Sequence, residues 1–468
     1  MNRQRCLLFL ALAAVFPSRL PAAPTPAQEQ ATEDLKRESL APNQAGEGTG
    51  ARPAFSFFRE RIDFSCGAWV RPAFVSHGGH IGDHNARDYD SRLWARLTVD
   101  RWHRFYARAQ ARYLDFNAGT GDDDFDGVNL DQAYYETDLN RVLGDELGWS
   151  VPAGSWVVAG GRKFEKLGRG LAYGRVDDGV AVRVRQEDFA LRFLAAKTPY
   201  GTDDFDRSLP HADHSDRVFW GGELRYLGGD HFEPYLFVLG QDDQNRGRPR
   251  DDLQDYQYDS EYAACGVAGE ILPRLRYAAE GIAEEGSSQA YNTFSTNGLD
   301  LPSDIEAYAF TGSLEYLFDH PLQPRLLAEY LWGSGDPDRV SPGNTVQGNQ
   351  GYTRDRSFNY FGYAPVGFAL SPRLSNLHVV KGGTSLLPLE DCAGCESLET
   401  GVNGYAFFKD RPGGGISDNR ATLDRSYVGA EHDVYVHWKI FSDLLAGVRY
   451  GVFYPGDAYR DEPARHFL

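Results

Sequence analysis

The sequence predicts an all-β transmembrane antiparallel barrel of about 18 strands, and two regularities carry this prediction. Runs of about ten residues alternate between apolar and polar side chains, as expected of strands with one face in lipid. The breaks between runs alternate between short and long, which is typical of outer-membrane barrels and unexpected in soluble sandwiches. Composition agrees, because Tyr (26), Phe (28) and Gly (51) are abundant and Met occurs once. Such a mixture favours strands and turns over helices.

The N-terminus predicts an exported protein. Residues 1–27 begin with basic residues such as Arg3, continue with the apolar run Leu7–Phe16 and end in small residues, which is the layout of a secretory signal peptide. The apolar run is shorter than the roughly 20 residues that span a bilayer. Residues 28–54 lack periodicity and predict a flexible periplasmic segment. The barrel is therefore assigned to 55–468, where no apolar stretch is long enough for a transmembrane helix.

The alternating runs define the individual strands. Their predicted spans are 57–76, 88–101, 104–117, 131–142, 155–166, 178–186, 188–197, 217–227, 231–241, 256–271, 274–285, 304–318, 324–333, 374–389, 397–409, 426–440, 443–454 and 465–468. The last span is much shorter than the others, so we expect a truncated closing strand. An open edge in lipid leaves backbone groups unpaired. We therefore expect a gap or a strained closure where the first and last strands meet.

Alternation also assigns the strand faces. In "SRLWARLTVD", Leu93, Ala95 and Leu97 alternate with Arg92 and Arg96. A lipid-facing Arg at the bilayer midplane costs about 2–4 kcal/mol, so the charged faces should point into a lumen. The predicted lumen arginines are Arg92, Arg96, Arg108, Arg112, Arg162, Arg183, Arg185, Arg192, Arg225, Arg276 and Arg449, and the interleaved acids are Glu223, Glu280, Glu329, Glu431 and Asp433. Arginines that do not pair with these acids would attract anions.

A formal net charge of −19 is unexpected in a protein that binds anions, but the acidic residues concentrate in predicted loops. The clusters are "GDDDFDG" (121–127), "GTDDFD" (201–206), "ADHSD" (212–216), "RPRDDLQD" (248–255) and "GDPDR" (335–339). Hard divalent cations such as Ca²⁺ prefer oxygen ligands. These clusters predict either cation sites that bridge to lipopolysaccharide phosphates or simply solvated loop charges. No other cofactor is expected.

Cysteine and histidine positions give weaker hypotheses. Cys66 and Cys265 lie within alternating runs and predict packed thiols. Cys392 and Cys395 in "DCAGCE" predict a local disulfide in an oxidising compartment, with free thiols as the alternative.

"HGGHIGDH" holds three histidines, His77, His80 and His84, at ligand-like spacing in the first long loop. They are weak candidates for a zinc site, because histidines in Gly-rich loops are more often solvated. Without a nucleophile in a catalytic setting, we do not expect an enzyme.

Several stretches resemble the alginate export family of outer-membrane porins. They are "LLAEYLWGSGDPDR" (326–339), "LSPRLSNLHVVKGG" (370–383), "YAFFKDRPGGGISD" (405–418), "RYGVFYPGDAY" (449–459) and "VVAGGRKFEK" (157–166). The resemblance implies an arginine-lined constriction that passes a uronate polymer, and periplasmic scaffold proteins as partners. Arg162, Arg373 and Arg449 match positions where the family places pore arginines, and Lys197 is a further candidate.

These observations predict a channel in the outer membrane of a Gram-negative-type bacterium that passively exports an anionic exopolysaccharide resembling alginate. The expected partners are the polysaccharide, outer-membrane lipid and lipopolysaccharide, and scaffold proteins, but no nucleic acid. The candidate pore residues are Arg162, Arg373, Arg449, Lys197, Arg96, Arg112, Arg185 and Arg192. Two alternatives are a substrate-specific porin for small anions or sugars and a soluble secreted β-protein.

Overall fold

The computed structural model describes residues 62–78, 84–118, 123–149, 154–206, 215–229, 231–245, 257–290, 301–345, 353–388, 397–441 and 444–468. The predicted signal peptide, 1–27, and the segment 28–54 therefore lie outside the described residues. No helix within the described ranges is long and apolar enough to cross a membrane.

Nearly all regular structure in these ranges is β-strand. The strands are β1 Ile62–Gly78, β2 His84–Val99, β3 His103–Ala118, β4 Asp124–Asp138, β5 Ser155–Leu167, β6 Tyr173–Gln186, β7 Phe189–Lys197, β8 Arg217–Tyr226, β9 Glu233–Asp243, β10 Asp259–Leu272, β11 Leu275–Ala290, β12 Leu301–Leu317, β13 Arg325–Gly333, β14 Arg354–Asp355, β15 Leu377–Leu386, β16 Ser397–Lys409, β17 Tyr427–Phe441, β18 Leu444–Pro455 and β19 Arg465–Phe467. A short helix, Leu139–Arg141, and a π-helical turn, Val142–Glu146, follow β4.

The strands form one closed antiparallel barrel. Each strand pairs with its neighbours in the chain, except that β13 pairs with β15 and the two-residue β14 lies parallel to β12. Leaving β14 out of the 19-stranded sheet gives a ring of 18, and this ring closes through β1 and β19. The predicted fold class is thus confirmed. Predicted boundaries are close, and the span 397–409 coincides with β16.

The strict alternation of short and long connections is not kept throughout, since 79–83 and 119–123, predicted to be long, have five residues each. We call the end with the long connections the outer end and the opposite end the inner end. At the outer end, β5 and β6 are joined only by the five residues 168–172. At the inner end, the connection after β4 is long enough to contain the helical turns. The connection 168–172 folds into the lumen.

The outward faces form an apolar surface that is typical of a lipid-facing barrel wall. Outward side chains such as Leu93 and Val448 are exposed by 61% and 60%. Cys66 and Cys265 also lie on this surface and are exposed, so the prediction that they are packed thiols is wrong. Their strand positions have the same parity as the outward apolar residues, and this parity places them in contact with lipid rather than with a protein core.

Closure at the seam between the last and first strands is confined to the outer end. β19 pairs with β18 from Gly451 to Phe453 and with β1 at His77 and Gly78. Among the described residues, the remaining length of β1 pairs only with β2, and that of β18 only with β17. The ladder at this seam is therefore much shorter than at the other strand pairs.

A buried ion pair holds the closing strand in place. Arg465 of β19 is 1% exposed and its Nη1 donates to Asp418 in the connection before β17. The hydroxyl of Tyr459 donates to the same carboxylate over 3.0 Å, and the guanidinium lies over the Tyr459 ring at 4.9 Å. Burial alone would raise the pKa of Asp418, but the hydrogen bond and charge of Arg465 outweigh burial and hold that pKa below its usual range.

We expect Asp418→Asn to lower the free energy of unfolding at neutral pH by about 1–3 kcal/mol, because buried Arg465 loses its charged partner. A folded-state pKa below the unfolded value of about 4 makes this stabilisation fully present above that value. The stabilisation is then lost as the pH falls through the lower folded-state pKa. In detergent, the wild type should therefore unfold at a higher temperature than Asp418→Asn, and this difference should shrink below about pH 4. The exposed Asp424 supplies the control Asp424→Asn. A difference in unfolding temperature between the wild type and Asp418→Asn that does not depend on pH would contradict the role of the Asp418–Arg465 pair.

Candidate functional site: the barrel lumen

Two connections fold into the lumen from the outer end. The short connection 168–172 turns inward, and the long connection between β13 and β15 lies against it. Backbone N–H groups of Phe361, Gly362 and Tyr363 donate to the carbonyls of residues 170–172 over 2.9–3.2 Å. Together these segments bury a hydrophobic core inside the barrel that includes Leu171 and Phe361. This core extends from the outer ends of β5 and β6 round to β18, so one sector of the lumen, mainly along β8 to β17, is covered by protein.

Carboxylates of the barrel wall hold both segments. Glu223 and Glu280 accept hydrogen bonds from the backbone N–H groups of Gly168 (2.6 Å) and Arg169 (2.7 Å). Glu284 accepts from the backbone N–H of Asn359 over 2.9 Å. Backbone groups without a sheet partner inside a barrel require acceptors, and a carboxylate makes the stronger, charge-assisted bond.

Glu431 on β17 makes the most extensive of these contacts. It accepts three backbone hydrogen bonds, from Phe368 (2.6 Å), Ala369 (2.7 Å) and Leu370 (2.9 Å), and is fully buried. Sequence reasoning placed Glu223, Glu280 and Glu431 as counter-ions of lumen arginines. That prediction missed their main role, because their loop partners are distant in sequence.

A fully buried arginine fixes the outer edge of the covered sector. Arg217 on β8 is bonded to Asp204 and Asp243, each over 3.0 Å, and lies 4.7 Å from the centre of the Phe205 ring. Burial would raise the pKa of Asp204, but the charge and hydrogen bonds of Arg217 outweigh it and lower that pKa. The acids of 201–206 are thus engaged by the protein itself.

The acidic cluster 335–339 is used in the same way. Asp336 accepts backbone hydrogen bonds from Asp338 (2.8 Å) and Arg356 (3.0 Å), and Arg339 pairs with Asp355 over 3.1 Å. Within the described ranges, no three His, Cys, Asp or Glu side chains cluster as metal ligands would. A divalent-cation site at the outer loops stays a prediction.

The opposite sector of the lumen carries a surface that we call the cationic wall. It consists of the lumen-facing cations of β2 to β6 together with Arg71 of β1, namely Arg71, Arg92, Arg96, Arg104, Arg108, Arg112, Lys163, Arg175, Arg183 and Arg185. Register places a cation in each of five successive lumen-facing rows of β1–β3, from the row of Arg104 to that of Arg112. Rows two residues apart are separated by about 6.6 Å along a strand.

Carboxylates lie between the cations of the cationic wall, and several of them are shared. Asp88 binds Arg71 and Arg112, both over 2.9 Å. Asp131 binds Arg92 over 3.1 Å and Arg108 over 2.6 Å. Glu136 likewise pairs with Arg104 of β3, Lys163 of β5 and Arg183 of β6. The shared carboxylates fix the cations in position without neutralising all of them.

Five of the eight predicted pore residues lie on the lumen side of their strands: Arg96, Arg112, Arg185, Arg192 and Arg449. Arg112 keeps 41% of its side chain exposed. Arg449 donates to His437 over 3.3 Å and stacks on Phe368 of the inward-folded connection at 5.3 Å. Arg449 thus connects the barrel wall to the loop.

Arg373 lies on the inward-folded connection itself. Its guanidinium donates to the carbonyl of Tyr360 over 2.8 Å and stacks on that ring at 4.5 Å. Arg373 thus lies on a segment inside the lumen, and its role in the pore stays a prediction.

Arg162 and Lys197 face outward, so the structure does not bring these two candidates to the lumen. Arg162 has the same strand parity as the exposed Trp156 and Phe164. It makes a bidentate pair with outward-facing Asp178, with both bonds at 2.7 Å. Lys197 lies opposite Asp178 in the register and pairs with Asp216 over 2.8 Å.

Sequence reasoning missed Arg169, which lies in the short connection after β5. Its guanidinium reaches Ser313 over 3.1 Å and Glu329 over 3.4 Å. The glycines that flank it in "GRG" were the available signal, because they allow a tight turn with a left-handed backbone at Gly168 and Gly170.

The remaining candidates fall largely outside the described residues. Cys392, Cys395 and His80 are not described, and neither is the side chain of His84. His77 is described and packs edge-on against Phe467 at 5.2 Å. The disulfide and zinc hypotheses therefore stay predictions.

A closed barrel with an apolar outer surface and a lumen narrowed by inward-folded loops defines the class of outer-membrane channel proteins. The alginate export family model matches residues 77–467, and the chain belongs to this family. A comparison with curated protein sequences finds no match.

Solved structures with a similar fold come from Pseudomonas aeruginosa. OccK5 (OpdH) is 10% identical, with a TM-score of 0.50 over 87% of this chain and 97% of that chain. OccK8 (OprE) is 11% identical, with a TM-score of 0.50 over 87% and 96%. At such identities the likeness establishes the fold alone.

We expect Glu431→Gln to loosen the inward-folded connection, because an amide has one acceptor oxygen for the three N–H groups that the carboxylate serves. An unsatisfied buried donor costs about 1–3 kcal/mol, which is enough to populate a released loop. Single-channel recordings should show higher and noisier conductance.

The control is Glu399→Gln, because Glu399 is a lumen carboxylate of β16 that accepts from Tyr435 over 3.3 Å. Equal conductance in the wild type and both variants would contradict the role of Glu431 in holding the loop.

Proposed function

We propose that this protein is a passive export channel for an anionic polysaccharide of the uronate type. The observation that carries the proposal is the cationic wall, in which cations occupy successive rows while their carboxylates are shared. A polymer with one carboxylate per sugar is chemically complementary to such a surface. Membership of the alginate export family supports the same substrate class.

The arrangement suits movement of a polymer better than tight capture. A guanidinium binds a carboxylate through two parallel hydrogen bonds, and such a contact must be released for transport to proceed. Most guanidinium groups in the wall already have a protein carboxylate beside them, so a substrate carboxylate competes with that partner. Several weak, closely spaced sites let each sugar pass to the next row, as conduction requires.

The covered sector would determine how wide the polymer's path through the lumen is and which side chains line it. Protein fills the lumen along β8 to β17, and this restricts a polymer to the side of the cationic wall. Arg449 and Arg373 would then face the polymer from the β18 wall and from the loop. Export needs no nucleotide in this scheme, since the polymer follows its own concentration gradient.

In this proposal residues 1–27 direct the chain to the outer membrane, where the long connections lie outside the cell. Periplasmic scaffold proteins would deliver the polymer to the inner end. The helical turns after β4 lie at that end and are available for such contacts.

A substrate-specific porin for small anions or sugars is the second candidate. The observation in its favour is the extent to which the inward-folded connections narrow the lumen. Small uronates would bind the same cations, so the two candidates differ in the length of the solute rather than in its charge.

We expect Arg112→Ala to weaken the block of channel current by uronate oligomers about tenfold, because one charge-assisted contact is lost. Current is measured in planar bilayers with oligomers of increasing length. The matched control is Arg162→Ala, which removes an outward arginine and should leave the block unchanged.

If block of the channel current strengthens with oligomer length, the result supports the proposed export channel. Block by small sugars or monomeric uronates, with none by longer oligomers, would refute it in favour of the small-solute porin. Equal block in both variants and in the wild type would refute the role of the cationic wall.

A further inference from the structure

Aromatic side chains project into the lumen among the arginines of the cationic wall. Trp69, Trp94, Tyr106 and Tyr134 lie on β1, β2, β3 and β4, and their strand positions have the lumen-facing parity. We call these four residues the aromatic track. In a barrel, aromatic rings are expected in the girdles at the two membrane interfaces. Four rings among charged side chains in the lumen therefore need a different explanation.

Register places the aromatic track beside cations in three successive lumen-facing rows. From the outer end inward, the rows hold Trp69 with Arg92, Trp94 with Arg108, and Tyr106 and Tyr134 with Arg96. Such rows are separated by about 6.6 Å along a strand. A ligand that extends along the wall thus meets an aromatic ring and a positive charge in each row.

Neighbouring rings of the aromatic track contact one another. Trp94 and Tyr106 stack with their centroids 6.4 Å apart and their planes at 18°, and the centroids of Tyr106 and Tyr134 are 5.3 Å apart. A guanidinium of the wall lies over Trp69 and an ammonium group lies over Tyr134, each 4.9 Å from the ring centroid. Apolar and cationic groups are therefore interleaved on one surface.

Trp94 lies flat against the barrel wall. Its indole crosses Gly67 on the neighbouring strand, where a Cβ atom would come within 3.0 Å of the ring. Because Gly67 has no side chain, the ring lies over backbone and turns its other face to the lumen. Trp94 is half-buried, as are Trp69 and Tyr134, whereas Tyr106 is buried. Three of the four rings are therefore partly accessible from the lumen.

The ring of a pyranose sugar is chemically complementary to this surface. Its C–H bonds form apolar faces, and its hydroxyl and carboxylate groups lie around the rim. The face of an aromatic ring carries partial negative charge and attracts the weakly positive hydrogens of such C–H bonds. The adjacent guanidinium groups bind carboxylate. A polyanion without sugar rings would use the cations alone.

We propose that the aromatic track binds the faces of pyranose rings, so that the channel selects uronate sugars rather than negative charge alone. This inference rests on the proposed export function and specifies how its substrate is recognised. The face of a sugar contacts Trp94, and its carboxylate reaches a neighbouring arginine of the wall. Contacts with partly exposed rings are shallow, so the polymer can pass from one row to the next.

The test compares two blockers of channel current in planar bilayers, oligomannuronate and oligoglutamate with the same number of carboxylates. We expect Trp94→Ala to weaken block by oligomannuronate about fivefold, because one ring contact is lost. Block by oligoglutamate should not change. Trp94→Phe keeps an aromatic face and should retain most of the block by oligomannuronate. If Trp94→Ala does not fold, Trp94→Leu replaces it.

The matched control is Trp220→Ala. The Trp220 ring crosses Gly240 on the neighbouring strand just as Trp94 crosses Gly67, but Trp220 faces outward and is 48% exposed. This variant should be blocked by both oligomers like the wild type.

Weaker block by oligomannuronate alone, with block retained in Trp94→Phe, supports the site. Unchanged block by oligomannuronate in Trp94→Ala, or an equal loss in Trp220→Ala, would overturn it. An equal loss of block by oligoglutamate would also overturn it, because Trp94 would then act only by positioning the cations. Absence of block by oligomannuronate in the wild type would refute the proposed function, and this inference with it.

Discussion

The hydrogen bond from a loop backbone N–H to a carboxylate of the barrel wall is the interaction on which this structure depends. The lumen of an 18-stranded barrel is too wide for wall side chains to fill, and in this protein two connections enter it. Chain that enters brings backbone groups that no sheet can pair, and burying them unpaired costs free energy. Glu223, Glu280, Glu284 and Glu431 supply the acceptors, because each accepts at least one hydrogen bond from a loop N–H group.

These contacts divide the lumen into two chemically distinct sectors. Where acids project, loops dock and a hydrophobic core forms around them. Where cations project from β1 to β6, shared carboxylates hold the side chains in place. An anionic polymer would be repelled by uncovered acids, so loop docking also conceals negative charge from the path. One set of interactions thereby supports both the fold and the electrostatics that we propose for transport.

Strand order and most strand faces could be predicted from the sequence because a barrel imposes period-two alternation on every strand. The same alternation predicts that Arg162 and Lys197 face outward, because they share parity with the outward Phe164 and Phe193. The family resemblance assigned both residues to the pore, and this assignment is wrong. Loop docking was beyond sequence reasoning, because Glu431 lies 61–63 residues from its partners and no local pattern links them.

The division of the lumen is the central claim, and thiol accessibility tests it most directly. The native cysteines are replaced by serine, and one cysteine is introduced at Gln110 in the cationic wall or at the fully buried Ala307 in the covered sector. A membrane-impermeant anionic thiol reagent is then applied to the folded barrel. The account predicts rapid labelling at position 110, slowed by uronate oligomers, and almost none at position 307. Equal labelling at both positions would contradict it.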